Sequence, residues 1–374
     1  MKRRLTGLVV AMACTAAIPV AAPRASAASE PFKLGTFEHR GRTLIGLVLR
    51  GSMVIDLTAA NASLERRNRT WVTLPMPENM KELIGRYDLG LRERLHAITE
   101  KVAATVSAAH RPAYVYDLEA LEVLPPVRPT VILAAALNYP THATEMTTGE
   151  PARMSDASAL DDNPRSMPHF WERKPGDMRQ NPYLFLKPSS VVIGDGDAIR
   201  IKPGRDMIDW ECELAVVIGR PATDVPVEAA EEHIFGYTLM NDVGDRGGRG
   251  DNRYGSDWLV WKSSDTFAPL GPFIVPKEFI EDPHRLPIRF TLSGQVMQDA
   301  NTNQMTHSIY ELLHFASNNL TLLPGDMIST GTPAGVGMAR VPPVYMKPGD
   351  VAACSVEGVG TLTNPVEPWR ENPD

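Results

Sequence analysis

"DWECELAVVIGR", residues 209–220, is the stretch that decides how this chain is read. Asp209, Glu211 and Glu213 alternate with Trp210, Cys212 and Leu214, and the next four residues, Ala215 to Ile218, are all apolar. A two-residue period is that of a β-strand, in which alternate side chains share a face. The three carboxylates therefore project together and repel one another unless positive charge stands between them. The apolar run that follows predicts burial on both faces, so the acidic end of the strand enters a core.

A second acidic strand end comes next, in "GYTLMNDVGDRGGRG", where Asp242 closes an apolar strand and opens a glycine-rich turn. Oxygen ligation by Glu211, Glu213 and Asp242 suits a hard divalent cation, Mg²⁺, Mn²⁺ or Ca²⁺. Three carboxylates overbalance such an ion by one charge, which leaves positions for water and an oxygen-rich substrate. Upstream, "ALNYPTHATEM" ends an apolar strand and brings up His142, with Glu145 three residues on. On a helical turn the two share a face, and the carboxylate would fix the imidazole tautomer as a general base requires. Lys262, in "WKSSDTFAPLGPF", reads by itself as a surface lysine with its stem along apolar neighbours. Partly desolvated, it would instead donate to a developing oxyanion. The glycine-rich "ISTGTPAGVG", residues 328–337, lacks the Lys-Ser/Thr ending of a phosphate loop, and no long helix follows it. Its backbone amides and Thr332 are suited to holding a carboxylate.

The rest of the chain sets bounds. With 374 residues, 43% hydrophobic and 22% charged, it is long enough for one large and one small domain. A net charge of −7 argues against a nucleic-acid groove. Residues 1–27 read as an export signal: Lys2, Arg3 and Arg4, an apolar stretch to Ala22, and Ala25-Ser26-Ala27 as a cleavage site. The expected location is periplasmic or extracellular, with no membrane attachment once the signal is removed. Cys212 and Cys354, each in an apolar strand-like run, are expected to be buried thiols and not a bridge. Residues 32–57 read as short strands, 78–108 as helical, 124–129 ("LPPVRP") as a stiff connector, and the remainder as mostly strand with a helix at 307–319. Strands that do not alternate with helices argue against a doubly wound sheet and for a mixed sheet or sandwich. Residues 146–181 lack periodicity and read as a long loop or lid.

Taken in order, "LNYPTHATE", "PYLFLKPSSVVIGDGDAI", "DWECELAVVIGR", "GYTLMNDVGDR", "WKSSDTFAPLGPFIV", "LLPGDMISTGTPAGVG" and "MKPGDVAACSVEGVGTLTN", with a Gln298…Thr302 pair, resemble the fumarylacetoacetate hydrolase family. The resemblance implies an α+β chain: a mixed β-roll or β-sandwich at 127–370, carrying an inserted loop at 146–181, preceded by a small α+β domain at 28–126. It implies a homodimer and a divalent cation, Mg²⁺ or Mn²⁺ with Ca²⁺ as a further choice, held by Glu211, Glu213 and Asp242. It gives Asp209 a supporting place beside these ligands, and His142 with Glu145 the activation of water. Lys262 is then the oxyanion donor, and Arg246 and Thr332 contact substrate oxygens. Ala136 replaces a usual Gly, Gly244 a common Ser, and Arg249 a Gln of several hydrolases; Arg249 is expected to add a cation for an acidic substrate. The implied activity is hydrolysis of a C–C bond in an acylpyruvate-like or fumarylacetoacetate-like diketo acid. The alternatives are an isomerase or decarboxylase of 2-oxo-diacids on the same fold, and a secreted, non-catalytic metal- and ligand-binding protein.

Overall fold

In the computed structural model, residues 30–67, 71–107, 111–148, 164–251, 253 and 257–370 are described. Strands β1 (Phe32–His39), β2 (Arg42–Leu49) and β3 (Met53–Asp56) form a meander. Its first turn, Arg40 and Gly41, has φ of 52° and 77°, the double positive φ that suits the twist of a tight hairpin. Helix α1 (Leu57–Arg67) follows, then α2 (Met80–Arg86) and α3 (Arg92–Thr105). The helical stretch expected at 78–108 is broken where Leu89 and Gly90 leave helical geometry. Short β4 (Val115–Asp117) and β5 (Glu122–Leu124) complete this part.

The larger part runs β6 (Ile132–Ala135), α4 (Pro140–Thr148), β7 (Leu184–Lys187), β8 (Val192–Ile193), β9 (Ile199–Ile201), β10 (Ile208–Asp209), β11 (Cys212–Ile218), β12 (Ile234–Asn241), β13 (Gly244–Asp245), α5 (Trp258–Lys262) and β14 (Ala268–Pro276). It continues with β15 (Pro287–Leu292), β16 (Gln295–Asn301), α6 (Ile309–Asn319), β17 (Met327–Ser329), β18 (Val351–Val356) and β19 (Gly360–Pro368). Helix α6 starts where Ser308 and Glu311 form a reciprocal capping box, worth about 1 kcal/mol.

Two sheets carry the architecture. The larger is ordered β4-β3-β2-β1-β14-β12-β11-β17-β6-β7, with β5 on β1 and β8 on β14; the smaller is β16-β15-β18-β19-β9. The amino-terminal strands join the large sheet through β1 and β14, at Leu34 opposite Ile274. The fold is therefore mixed α+β, as the strand-rich, non-alternating pattern requires.

Strand β11 shows why the opening stretch behaves as it does. Cys212, Leu214, Val216 and Ile218 face the core between the two sheets, together with Phe290 and Cys354. Ala215 and Val217 face the opposite core, under the helices, and Glu213 lies on their side of the pleat. Both faces are covered, so the strand is buried throughout. The same geometry corrects the expectation of two free thiols. Cys212 and Cys354 look at each other across the sheet-to-sheet core, 5.3 Å apart at Cα, and form a disulfide linking residues 142 positions apart. Sequence spacing held no sign of that pairing.

Candidate metal and catalytic site

Sheet pairing assembles the site at one edge. Strands β11 and β12 are antiparallel, with Glu213 opposite Met240 and Cys212 opposite Asn241, so the start of one lies at the end of the other. Asp242 continues past β12 and its N–H donates to the Glu211 carbonyl at 2.8 Å. Strand β17 runs antiparallel to β11 and parallel to β6, which delivers the 330–337 loop and the start of α4 to the same edge.

One carboxylate oxygen of each of Glu211, Glu213 and Asp242 lies within 4.8 Å of the others. All three residues are buried. Cations stand around them. Lys262 Nζ donates to Glu211 Oε2 at 2.8 Å and to Asp242 Oδ2 at 2.7 Å. Arg246 Nε donates to Asp209 at 2.9 Å, and its other arm pairs with Glu211. Lys187 Nζ lies 2.6 Å from Asp242 Oδ1, an ion pair outside hydrogen-bond angles. Three cations thus face the four carboxylates of Asp209, Glu211, Glu213 and Asp242. Glu213 is the member left short. Its Oε2 accepts from Ser329 Oγ at 2.5 Å and from the Gly331 N–H at 2.9 Å, while its Oε1 is buried with no partner among the described residues.

The titration directions follow. Burial alone would raise the Glu211 carboxyl, but Lys262, Arg246 and His142 overcome it and hold the group below the usual range. Burial, then the neighbouring Asp242 and Glu211, push Glu213 well up. Burial lowers Lys187, with Asp242 opposing. For Lys262 burial is outweighed by Asp242 and Glu211, and the ammonium is favoured. A surplus carboxylate, an unpartnered buried oxygen and an all-oxygen donor set fit a hard divalent cation held by Glu211, Glu213 and Asp242.

Beside this cup, α4 places His142 and Glu145 one turn apart, and His142 Nδ1 donates to Glu145 Oε1 at 2.7 Å. That bond leaves Nε2 as the basic nitrogen. The 328–337 loop turns out to hold carboxylates of the protein itself. Gly331 N–H serves Glu213, Gly335 N–H serves both oxygens of Glu145 at 3.1 and 2.9 Å, and Gly337 and Met338 N–H serve Asp209 at 2.7 and 3.0 Å. Glycine is required at Gly335, where φ is 110° and a Cβ would stand 2.2 Å from the Met297 carbonyl oxygen.

A narrow cleft is lined by His142, Glu211, Arg246, Lys262 and Thr332, among others. Lys262 is buried, unlike the surface lysine its sequence context suggests by itself. Asp209 holds Arg246 and the glycine loop and does not join the three-carboxylate group. The Thr332 hydroxyl donates to the Cys212 carbonyl at 3.1 Å and accepts from Gln298 at 2.7 Å. Arg249 is not brought to the cleft: it is exposed, 3.4 Å from Asp251. Sequence reading missed Lys187, which also donates to the Lys262 carbonyl at 2.6 Å. Its signal was present in "YLFLKP", a lysine inside an apolar strand.

Residues 131–367 match the family described as fumarylacetoacetate (FAA) hydrolase, C-terminal. The chain belongs to this family and is an enzyme of its hydrolase, isomerase and tautomerase superfamily. It is 33% identical over 324 residues to the oxaloacetate tautomerase fahd2, mitochondrial, of Xenopus laevis, covering 86% of this chain and 85% of that one. Among solved structures it is similar to 5-carboxymethyl-2-hydroxymuconate delta-isomerase from Mycobacterium smegmatis, at 35% identity and a TM-score of 0.54 over 71% of this chain and 89% of that one. It is also similar to fumarylacetoacetate hydrolase from Exiguobacterium antarcticum, at 27% identity and a TM-score of 0.63, over 90% of this chain and all of that one (100%).

The relatives overturn one expectation. The Xenopus protein and the rat and human proteins of the same activity are named as mitochondrial, not secreted, so the export expected from residues 1–27 is withdrawn. A basic, acid-free leader is common to export signals and organelle presequences, and composition alone does not separate them. Those residues lie outside the described ones. No described helix is long and apolar enough to cross a membrane.

Proposed function

We propose that this enzyme forms the enol or enolate of a 2-oxo acid, and that its reaction is keto–enol or double-bond isomerisation of that acid. The observation that carries this reading is that His142, Glu211 and Lys262 line one cleft, with Glu145 bonded to His142 and with Glu213 and Asp242 grouped with Glu211. A divalent ion held by the cup would supply Lewis acidity, drawing electron density from a nearby carbonyl. His142 Nε2 takes a proton from the carbon next to the keto group. The C–H pair becomes the C=C bond, and the carbonyl π pair moves to oxygen, where Lys262 donates to the developing charge. Glu145 keeps the imidazole in the needed tautomer and stabilises it once protonated. Return of that proton, to oxygen or to the far carbon of a conjugated acid, completes the isomerisation. The tautomerase and isomerase similarities, at 33% and 35% identity, support this choice.

C–C hydrolysis is the second reading, favoured by the hydrolase similarity across 90% of the chain. There His142 would take its proton from water, hydroxide would add to the distal carbonyl, and the enolate would leave with the bond pair. Loss of CO₂ from a 2-oxo-diacid would use the same electron sink. A purely binding role is disfavoured because the chain belongs to a family of enzymes and keeps His142 bonded to Glu145 with Lys262 in the same cleft. One experiment separates the readings: the protein is incubated with Mg²⁺ or Mn²⁺ and either a simple 2-oxo acid or an acylpyruvate in D₂O, and followed by NMR. Deuterium entering carbon 3 without cleavage supports isomerisation, and pyruvate release supports hydrolysis. Neither above buffer background would refute both.

A further inference from the structure

The lining of the cleft is of two kinds. His142, Glu211, Arg246 and Lys262 are polar or charged and buried. Phe185, Trp258, Trp261, Met146 and Leu137 form an apolar wall. This wall is organised. Trp258 stacks on Phe185 with ring centres 4.5 Å apart and meets Trp261 edge-on at 5.6 Å. Asp257 caps the short helix that carries both indoles, accepting from the Leu259 and Val260 N–H groups at 3.1 and 3.3 Å. Trp261 lies directly over Gly248, where an added Cβ would stand 2.3 Å from the indole nitrogen. Trp258, Trp261 and Lys262 fall at i, i+3 and i+4 of this one short helix.

Charge makes the wall selective. The cations lining the cleft, Lys262 and Arg246, are both buried and already bound to Glu211, Asp242 and Asp209. Arg249, expected to add a cation for an acidic substrate, is not among the lining residues and lies 3.4 Å from Asp251. A carboxylate placed against the indoles would lose water, and Lys262, the lining cation over the Phe185 ring, is already paired with Glu211 and Asp242. A flat apolar group in the same place would bury against the aromatic faces.

Resting on the reading above for the head group, we infer that Trp261 and Trp258 are specificity-determining residues that select a 2-oxo acid with a planar apolar tail, aryl or alkenyl. The four-carbon dicarboxylic acid named for the tautomerase relatives is disfavoured by the same wall. The test uses the full chain with Mg²⁺ and three probes in calorimetric titration: oxalate for the head alone, phenylpyruvate for head plus aryl tail, and oxaloacetate for head plus carboxylate. Phenylpyruvate is expected to bind at least about tenfold tighter than oxaloacetate. Trp261→Ala should lose about tenfold for phenylpyruvate while the oxalate Kd stays within about twofold, and Trp261→Phe should recover most of the loss. Oxaloacetate binding as tightly as phenylpyruvate, or Trp261→Ala weakening oxalate and phenylpyruvate alike, overturns the inference and leaves the head-group reading standing. Failure of oxalate to bind the wild-type protein with Mg²⁺ overturns the head-group reading and this inference together.

Discussion

Two clusters of carboxylates and cations in this molecule look alike on paper and differ in every physical respect. In one, Arg179 clasps Asp177 and Glu311, pinning the 164–181 stretch to helix α6. All four carboxylate oxygens there accept a hydrogen bond, from Arg179 or from the Ser308 N–H, and the Arg179 side chain keeps 38% of its exposure. In the other, Asp209, Glu211, Glu213 and Asp242 are sunk with Lys187, Lys262 and Arg246, and Glu213 Oε1 has no partner among the described residues. The first is a satisfied clasp, and its electrostatic contribution is modest because water screens it. The second holds an excess of charge in a place where charge is expensive.

The sharpest way to break this contrast is at the base beside the cup. His142→Ala is expected to reduce turnover by about 10²- to 10⁴-fold while metal content, by elemental analysis, stays at the wild-type level. A variant with wild-type rate would remove His142 from the mechanism, and one that also lost its metal would place it in the ion site.

Glu213→Gln tests the surplus charge itself. Without added metal the amide removes a buried carboxylate charge whose Oε1 lacks a partner among the described residues, so the melting temperature should rise. With Mg²⁺ or Mn²⁺ the order should reverse, because the variant loses a ligand and binds the ion on the order of 100-fold more weakly. A melting temperature that fell equally with and without metal would mean that Glu213 is an ordinary structural group.

The smallest effect is expected at the clasp. Arg179→Ala should speed amide hydrogen exchange in residues 164–181 and leave metal affinity unchanged. Arg179 holds the Asp177 carboxyl at about 2, below its unfolded value of about 3.9. The pair's contribution is therefore complete above the unfolded value and is lost as pH falls through about 2. Wild-type exchange in this stretch should approach that of the variant only in that acidic window. Exchange in the variant no faster than wild type at neutral pH would show that the clasp holds nothing.

Much of the site was written in short-range pattern. The alternation at 209–214 put Glu211 and Glu213 on one face, and the three-residue step from His142 to Glu145 became a single helical turn with a 2.7 Å bond. Each of these depends on periodicity, which one strand or one helix carries within itself. Lys187 and Lys262 were harder. A lysine in an apolar run reads as a surface residue until the carboxylates that face it are known, and those carboxylates lie on other strands. The glycine-rich loop was legible as a set of backbone donors, but not whose oxygens it holds.

By itself, the sequence determined the strand character of the acidic stretch, the mixed α+β class, the carboxylate trio and the His–Glu pair. The strand character and the His–Glu pair rest on residues close enough in the chain to share one face; Asp242 of the trio was read from a second acidic strand end and from the family resemblance. The tertiary structure alone decided which side chains meet across strands: the Cys212–Cys354 bridge and the Lys187 and Lys262 contacts to Asp242. These depend on strand register and on the packing of one sheet against another, and such distances are fixed by the whole fold at once.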